Sequence, residues 1–512
     1  MRDTAPARGA IASPHSRATA AGARALRAGG NAIDAALAAA ATLCVVYPNN
    51  VALGSDLVAL VRRPDGRLTV VNATGSAGAG VRPAEMRARH GDRLPVRGVD
   101  TVTLPGAVRG WDALHRLGAA RAWREHFDDA VDAAAHGVPT ARSVANAIRD
   151  ERADLEADPG CRALFLPRGE ALAEGAPLAQ PALAATLGAI RDGGADVFYT
   201  GPVARRWLGG LRALGSALTA DDARVWQPET TVPLTRAHEQ WRVSTSPPNT
   251  QGFALLRALG RVRGLADPLG TDAGRLARVF AASNAVRDAH LADPRFGGPP
   301  GDRLIELPEP ADGADALDAR PAGDTVGISA ASSDGWAVSL IQSIYFGFGA
   351  CVLEPETGIL FHNRGTSFSL APERPHALRP GARPPHTLMP VLVTREGELA
   401  WASSTMGGQA QPQIHTHVLL RAFAGSGAVE AVAAARWAIG RQDAGDTALT
   451  ATVEAGVGQD AVSALAEAGF QIKRVPDADE LLGHANLVAA APDGYEAASD
   501  PRSDGAAEVV PT

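Results

Sequence analysis

The 512-residue chain carries 49 Lys and Arg against 56 Asp and Glu, a formal charge of −7, and the absence of any basic block excludes the electrostatic footprint of a nucleic-acid binder. Hydrophobic residues at 46% and charged residues at 21% are ordinary globular values, which excludes a disordered or fibrous chain and leaves room for a sizeable cleft. Three cysteines, Cys44, Cys161 and Cys351, are odd in number and far apart, which argues against a disulfide framework or metal knuckle and for thiols in a reducing compartment.

The opening MRDTAPARGAIASPHS holds no apolar run of signal-peptide length, so a cytoplasmic protein is expected. Residues 18–27 read as a helix that stops at Gly29-Gly30, and a second helix begins near Asn31. The apolar stretch 32–48 is Ala-rich, carries Asp34 and ends at a proline short of spanning length; it reads as a buried core helix, with no membrane segment expected. Residues 56–63, a Pro-Asp-Gly turn and residues 67–73 read as two tightly joined strands. From 107 to about 214 the pattern is mainly helical, and strand-like pieces return near 241–244.

Residues 306–323 are rich in Pro, Ala, Asp and Gly without apolar periodicity and read as an exposed linker. Directly after it come alternating strands, TVGISAAS from Thr325 and WAVSLIQS from Trp336, joined by a Ser-Asp-Gly turn. Later strands are expected at 358–362, 388–394 and 398–403, and helices at 419–424 and 428–437, which together suggest a layered α/β sandwich. The abrupt junction at Asp324-Thr325 has two readings. One is a domain boundary where a loop residue enters a strand. The other is chemical: a Thr freed at a chain terminus gains its own α-amine as base, and an internal Thr can make that terminus by attacking the preceding carbonyl.

The surrounding blocks resemble γ-glutamyltranspeptidases and their acylase relatives, in order and over nearly the whole chain. GGNAIDAA from Gly29, VTLPGAVRGW from Val102, FYTG from Phe198, PPNTQG from Pro247 and HLADPRF from His290 precede the linker. DTVGIS, DGWAVSLIQS, FGFG, GILFHNRG, RPPHTLMP, STMGGQ and ASDPRSDGAA follow it. The resemblance implies a four-layer αββα sandwich of the N-terminal nucleophile hydrolase type, self-cleaved between Asp324 and Thr325. Residues 1–324 and 325–512 would then be a large and a small subunit that stay associated as one unit. It places the nucleophile at Thr325, a supporting hydroxyl at Ser343 and backbone oxyanion donors at Gly407 and Gly408, where close approach suits glycine. No cofactor is implied, and a homo-oligomer is compatible with it.

The substrate pocket departs from the family pattern. Ala73 falls where γ-glutamyl enzymes carry a carboxylate-binding Arg, and Ser367, beyond Asn363 and Arg364 in HNRGTSFSL, where they carry an amine-binding Asp. His386-Thr387 replaces paired serines. Loss of the opposed charges removes most recognition of a zwitterionic amino acid. His386 and Thr387 as neutral donors, or Arg364, would hold the substrate instead. His415 and His417 have no carboxylate or Cys cluster beside them, so no metal site is expected. The expected function is a γ-glutamyltransferase-like amide hydrolase or acyltransferase acting on a small-molecule amide. The alternatives are a hydrolase of a non-glutamyl substrate (an oxamate-like amide, a cephalosporin-type acyl group or a carbon–carbon bond) and an unprocessed non-catalytic homologue.

Overall fold

The computed structural model describes residues 7–309 and 324–512, so the linker residues 310–323 lie outside the described residues. Its centre is two antiparallel sheets packed face to face. In spatial order the first runs Ala506–Pro511, Ala7–Ser13, Asp324–Ser332, Ala337–Tyr345, Asp56–Arg62, Leu68–Ala73 and Glu229–Thr231. The second runs Gly494–Ser499, Ala485–Ala491, Glu398–Thr405, Val391–Arg395, Trp241–Thr245 and Leu234–His238. Strands from either side of the linker share both sheets, and the strand headed by Asp324 and Thr325 is an interior one.

Small side chains let the sheets close on one another. Ala10, Ala12, Val58, Leu60 and Ile341 meet Leu388, Leu392, Ala402 and Val488 between them. The approach is tight at Gly327, where a Cβ would stand 2.9 Å from the Ser404 side chain and from the Thr405 nitrogen. Inward-facing serines find partners across the gap: Ser329 and Ser404 hydroxyls at 2.9 Å, and Ser339 Oγ donating to the Ser403 carbonyl at 2.7 Å.

Helices cover both outer faces. Ser16–Arg27 and Ala32–Val46 lie on the first sheet. The second of these is apolar all round and therefore buried all round, and its start is set by a capping box between Asn31 and Asp34. Gly252–Val262, Ala273–His290 and Gln411–Phe423 cover the second sheet. The layers are the αββα sandwich that the sequence led us to expect. No helix among the described residues is long and apolar enough to cross a membrane.

Three elements differ from expectation. The helix expected at 419–424 begins at Gln411, because Pro412 sits in its first turn, where a missing N–H costs nothing. The helix expected across 428–437 is only Ala428–Ala433; Trp437 instead opens the strand Trp437–Ile439 of a separate three-stranded sheet. Its ring is buried against Phe280 and His417, a tertiary demand that overrides helix propensity. The strand expected over 358–362 shortens to Ile359–Leu360.

Candidate active site

Thr325 is buried at the head of its strand, and its Oγ1 donates to Ser343 Oγ on the neighbouring strand at 3.1 Å. Ser343 Oγ also accepts from the Tyr345 amide at 2.8 Å. The ladder register shifts between Gln342 and Tyr345, and Tyr345 is held at φ 82°. A bulge that re-aims side chains, with a non-glycine residue at positive φ, is a feature that clusters at functional sites. From behind, Asn50 Nδ2 donates to the Thr325 carbonyl at 3.4 Å.

The contacts of Ser329 with Ser404 and of Gly327 with Thr405 run in opposite senses along their strands, a course that leads from Thr325 toward Met406 and Gly407. Gly407 at φ 141° and Gly408 at φ 51° form the turn there, in conformations that a Cβ resists. The turn is braced on two sides. Met406 N donates to the His484 carbonyl at 2.7 Å, and Gln251 Nε2 donates to the carbonyls of Gly408 and Thr387 at 2.8 and 2.9 Å. Arg436 holds the loop before His484 through the Leu482 and Gly483 carbonyls and is itself paired with the buried Asp500.

A narrow recess is lined by Arg287, Tyr345, Ser367, His386, Thr387 and Gln409. Arg364 stacks 3.5 Å over the Tyr345 ring and donates to Thr387 Oγ1 at 3.1 Å, so that hydroxyl keeps its own proton to donate. Arg287 is oriented by Asp288, Gln251 and Gln409. His386 does not act as the donor we expected. Burial, aided by the Arg364 charge, pushes its pKa down to about 3, so the ring is neutral and has one N–H. That proton goes from Nε2 to Asp56 Oδ2 at 3.1 Å, and Nδ1 accepts from the Leu388 amide at 3.4 Å. Burial alone would raise the Asp56 carboxyl; the facing His362, at 3.5 Å, and the bond from His386 hold it well below the usual carboxylate range.

Two further expected substrate contacts belong elsewhere. Ala73 is buried beneath the helix Ala107–Gly118, its methyl close to Gly110, because its strand turns that face to the helical layer. Asn363 spends both ends on backbone, its Oδ1 accepting from Phe346 N and its Nδ2 donating to the Val96 carbonyl, so it braces the loop after Tyr345. The Asp324 side chain lies outside the described residues. His415 bonds Ser403 Oγ, and no group of three or more metal-ligating side chains occurs among the described residues. Sequence reading missed Asp56, Arg287, Tyr345 and Gln409. Asp56 left a signal, since a carboxylate opening an apolar strand must find partners once buried.

Stacked antiparallel sheets between helical layers, with Thr325 at the head of an interior strand, form the architecture of an N-terminal nucleophile hydrolase. The family model for gamma-glutamyltranspeptidase matches residues 18–510, and the chain belongs to that enzyme family. It is 35% identical to the oxamate amidohydrolase proenzyme of Klebsiella pneumoniae, covering 98% of each chain. It is 33% identical to the glutathione hydrolase-like YwrD proenzyme of Bacillus subtilis, covering 97% of each. The crystal structure of cephalosporin acylase from Bacillus halodurans superposes with a TM-score of 0.88 at 28% identity, over 99% of this chain and 97% of that one.

Proposed function

We propose that the enzyme cleaves itself between Asp324 and Thr325 and then hydrolyses small amides with an anionic acyl group through an ester on Thr325. The observation that carries this reading is the Thr325 hydroxyl, donated to Ser343 at 3.1 Å, at the head of a strand directly after the linker. Cleavage gives Thr325 an α-amine that takes its hydroxyl proton as Oγ1 attacks the acyl carbonyl. The N–H groups of the Gly407–Gly408 turn receive the oxyanion, the amine departs with the proton, and water resolves the ester to the acid. Ser343 orients the attacking hydroxyl.

The acyl group is small because the recess is narrow, and anionic because Arg364 and Arg287 border it while no carboxylate among the described residues lines it. Nothing in that lining would hold an α-ammonium, which disfavours a γ-glutamyl group. The oxamate amidohydrolase among the relatives points the same way. Three free, buried cysteines support a reducing, cytoplasmic setting. Denaturing electrophoresis with N-terminal sequencing should give two pieces, the smaller beginning at Thr325, and Thr325→Ala should give one inactive chain. Oxamate should exceed a γ-glutamyl anilide in kcat/KM by about 10²-fold, the worth of two charged hydrogen bonds. An active enzyme that stays one band refutes the mechanism, and a γ-glutamyl preference refutes the acyl assignment.

A further inference from the structure

A second cavity, of about 520 Å³, reaches Thr325 through Asn50 and the glycine turn through Met406. It holds buried hydrogen-bond acceptors with nothing to accept. Asn50 gives its Nδ2 to the Thr325 carbonyl, and Gln442 gives its Nε2 to the Ile439 carbonyl at 3.5 Å. A carbonyl can be met only by the NH₂ end of an amide, so both orientations are settled and both oxygens are left over. Asn50 Oδ1 and Gln442 Oε1 have no partner although their residues are 2% and 3% exposed. Such acceptors call for an N–H donor from outside the chain.

The rim adds charge of one sign. Glu480 is tied to Arg142 and Glu151 to Arg97, but among the described residues no cation pairs with Asp150, Asp477 or Asp479. The volume far exceeds an ammonia leaving group, which is about the size of one water at ~30 Å³.

We infer that this cavity is the subsite for the amine half of the substrate and takes an amine that carries a second, cationic primary ammonium. This rests on the acyl-Thr325 reading. In acylation the bond from Thr325 Oγ1 to the acyl carbon forms and the C–N bond breaks. The hydroxyl proton passes through the Thr325 α-amine to the departing nitrogen, and the diamine leaves through this cavity. The donors of its distal ammonium meet the unpaired amide oxygens and the rim carboxylates.

Calorimetric titration of the processed enzyme with N-(3-aminopropyl)acetamide and its isostere N-(3-hydroxypropyl)acetamide tests the subsite without relying on the acyl group. The amine should bind at least about tenfold tighter, the scale of one well-placed ion pair. In the Asp150→Asn/Asp477→Asn variant, altered only on the exposed rim, that preference should vanish while oxamate turnover is kept. N-(3-aminopropyl)oxamate should likewise exceed its hydroxyl isostere in kcat/KM. Equal binding of the two probes, with oxamate still cleaved, overturns the subsite and leaves the chemistry standing. A clear amine preference without cleavage of any oxamate keeps the subsite and overturns the acyl assignment.

Discussion

Replacing Gly407 by Ala perturbs the proposed oxyanion turn at one atom. An L-residue at φ 141° is strained by about 1–3 kcal/mol. The new Cβ would also stand 2.4 Å from Ile414 Cδ1, in a cluster packed with Val418, Leu482 and Ala485, which adds about 1–3 kcal/mol of overpacking. The variant should therefore lose about 2–6 kcal/mol of stability. A displaced turn no longer aims its N–H group, so kcat should fall about 10²–10³-fold with KM little changed. Ile414→Val deletes the clashing carbon for about 0.5–1.5 kcal/mol on its own. In the double variant the steric share should return, while kcat stays low because the backbone strain is untouched. Urea unfolding and steady-state kinetics on oxamate separate the two effects. A folded Gly407→Ala enzyme with kcat within about threefold of wild type would refute the assignment of the turn to the oxyanion.

Ser343→Ala removes the acceptor of the Thr325 hydroxyl and should cost only about 0.5–1.5 kcal/mol in unfolding free energy, while slowing both self-cleavage and turnover. An unchanged rate of band conversion would exclude its orienting role. Arg364→Lys keeps the charge but loses the stack on Tyr345 and the planar fork, so KM for an anionic amide should rise by at least about tenfold, and unaltered KM would place the anion elsewhere. Acid should weaken the fold through its buried histidines. Burial pushes the His415 pKa down to about 3, so as pH falls below 6.5 the unfolded chain takes up the proton first and stability is lost. Between pH 7 and pH 5 that one group should cost roughly 2 kcal/mol, and His415→Gln should shrink the measured drop by that amount; a drop of the same size would contradict the neutral, buried ring.

Much of the architecture was legible in the sequence because it is written in local patterns. The Ala-rich stretch around Asp34, capped by Asn31, announces a helix buried on every side, and TVGISAAS and WAVSLIQS alternate as strands must. The blocks around Thr325, Ser343 and Gly407-Gly408 carry the family resemblance in short runs, so these candidates needed no coordinates. What only the tertiary structure decided depends on residues far apart in the chain. Asp56 and His386 are 330 positions apart, yet one carboxylate oxygen takes the only imidazole proton and turns an expected donor into a wall. Ala73 and Asn363 lie in the expected segments but turn toward the helical layer and the backbone, since the face a side chain occupies is set by what packs against its strand or loop. Arg287 reaches the recess from a helix whose own pattern marks it as an ordinary charged position, and Trp437 leaves its helix because burial against Phe280 outweighs propensity. Periodicity and motif report what a segment can form; which atoms meet, and which proton is already spent, follows from packing.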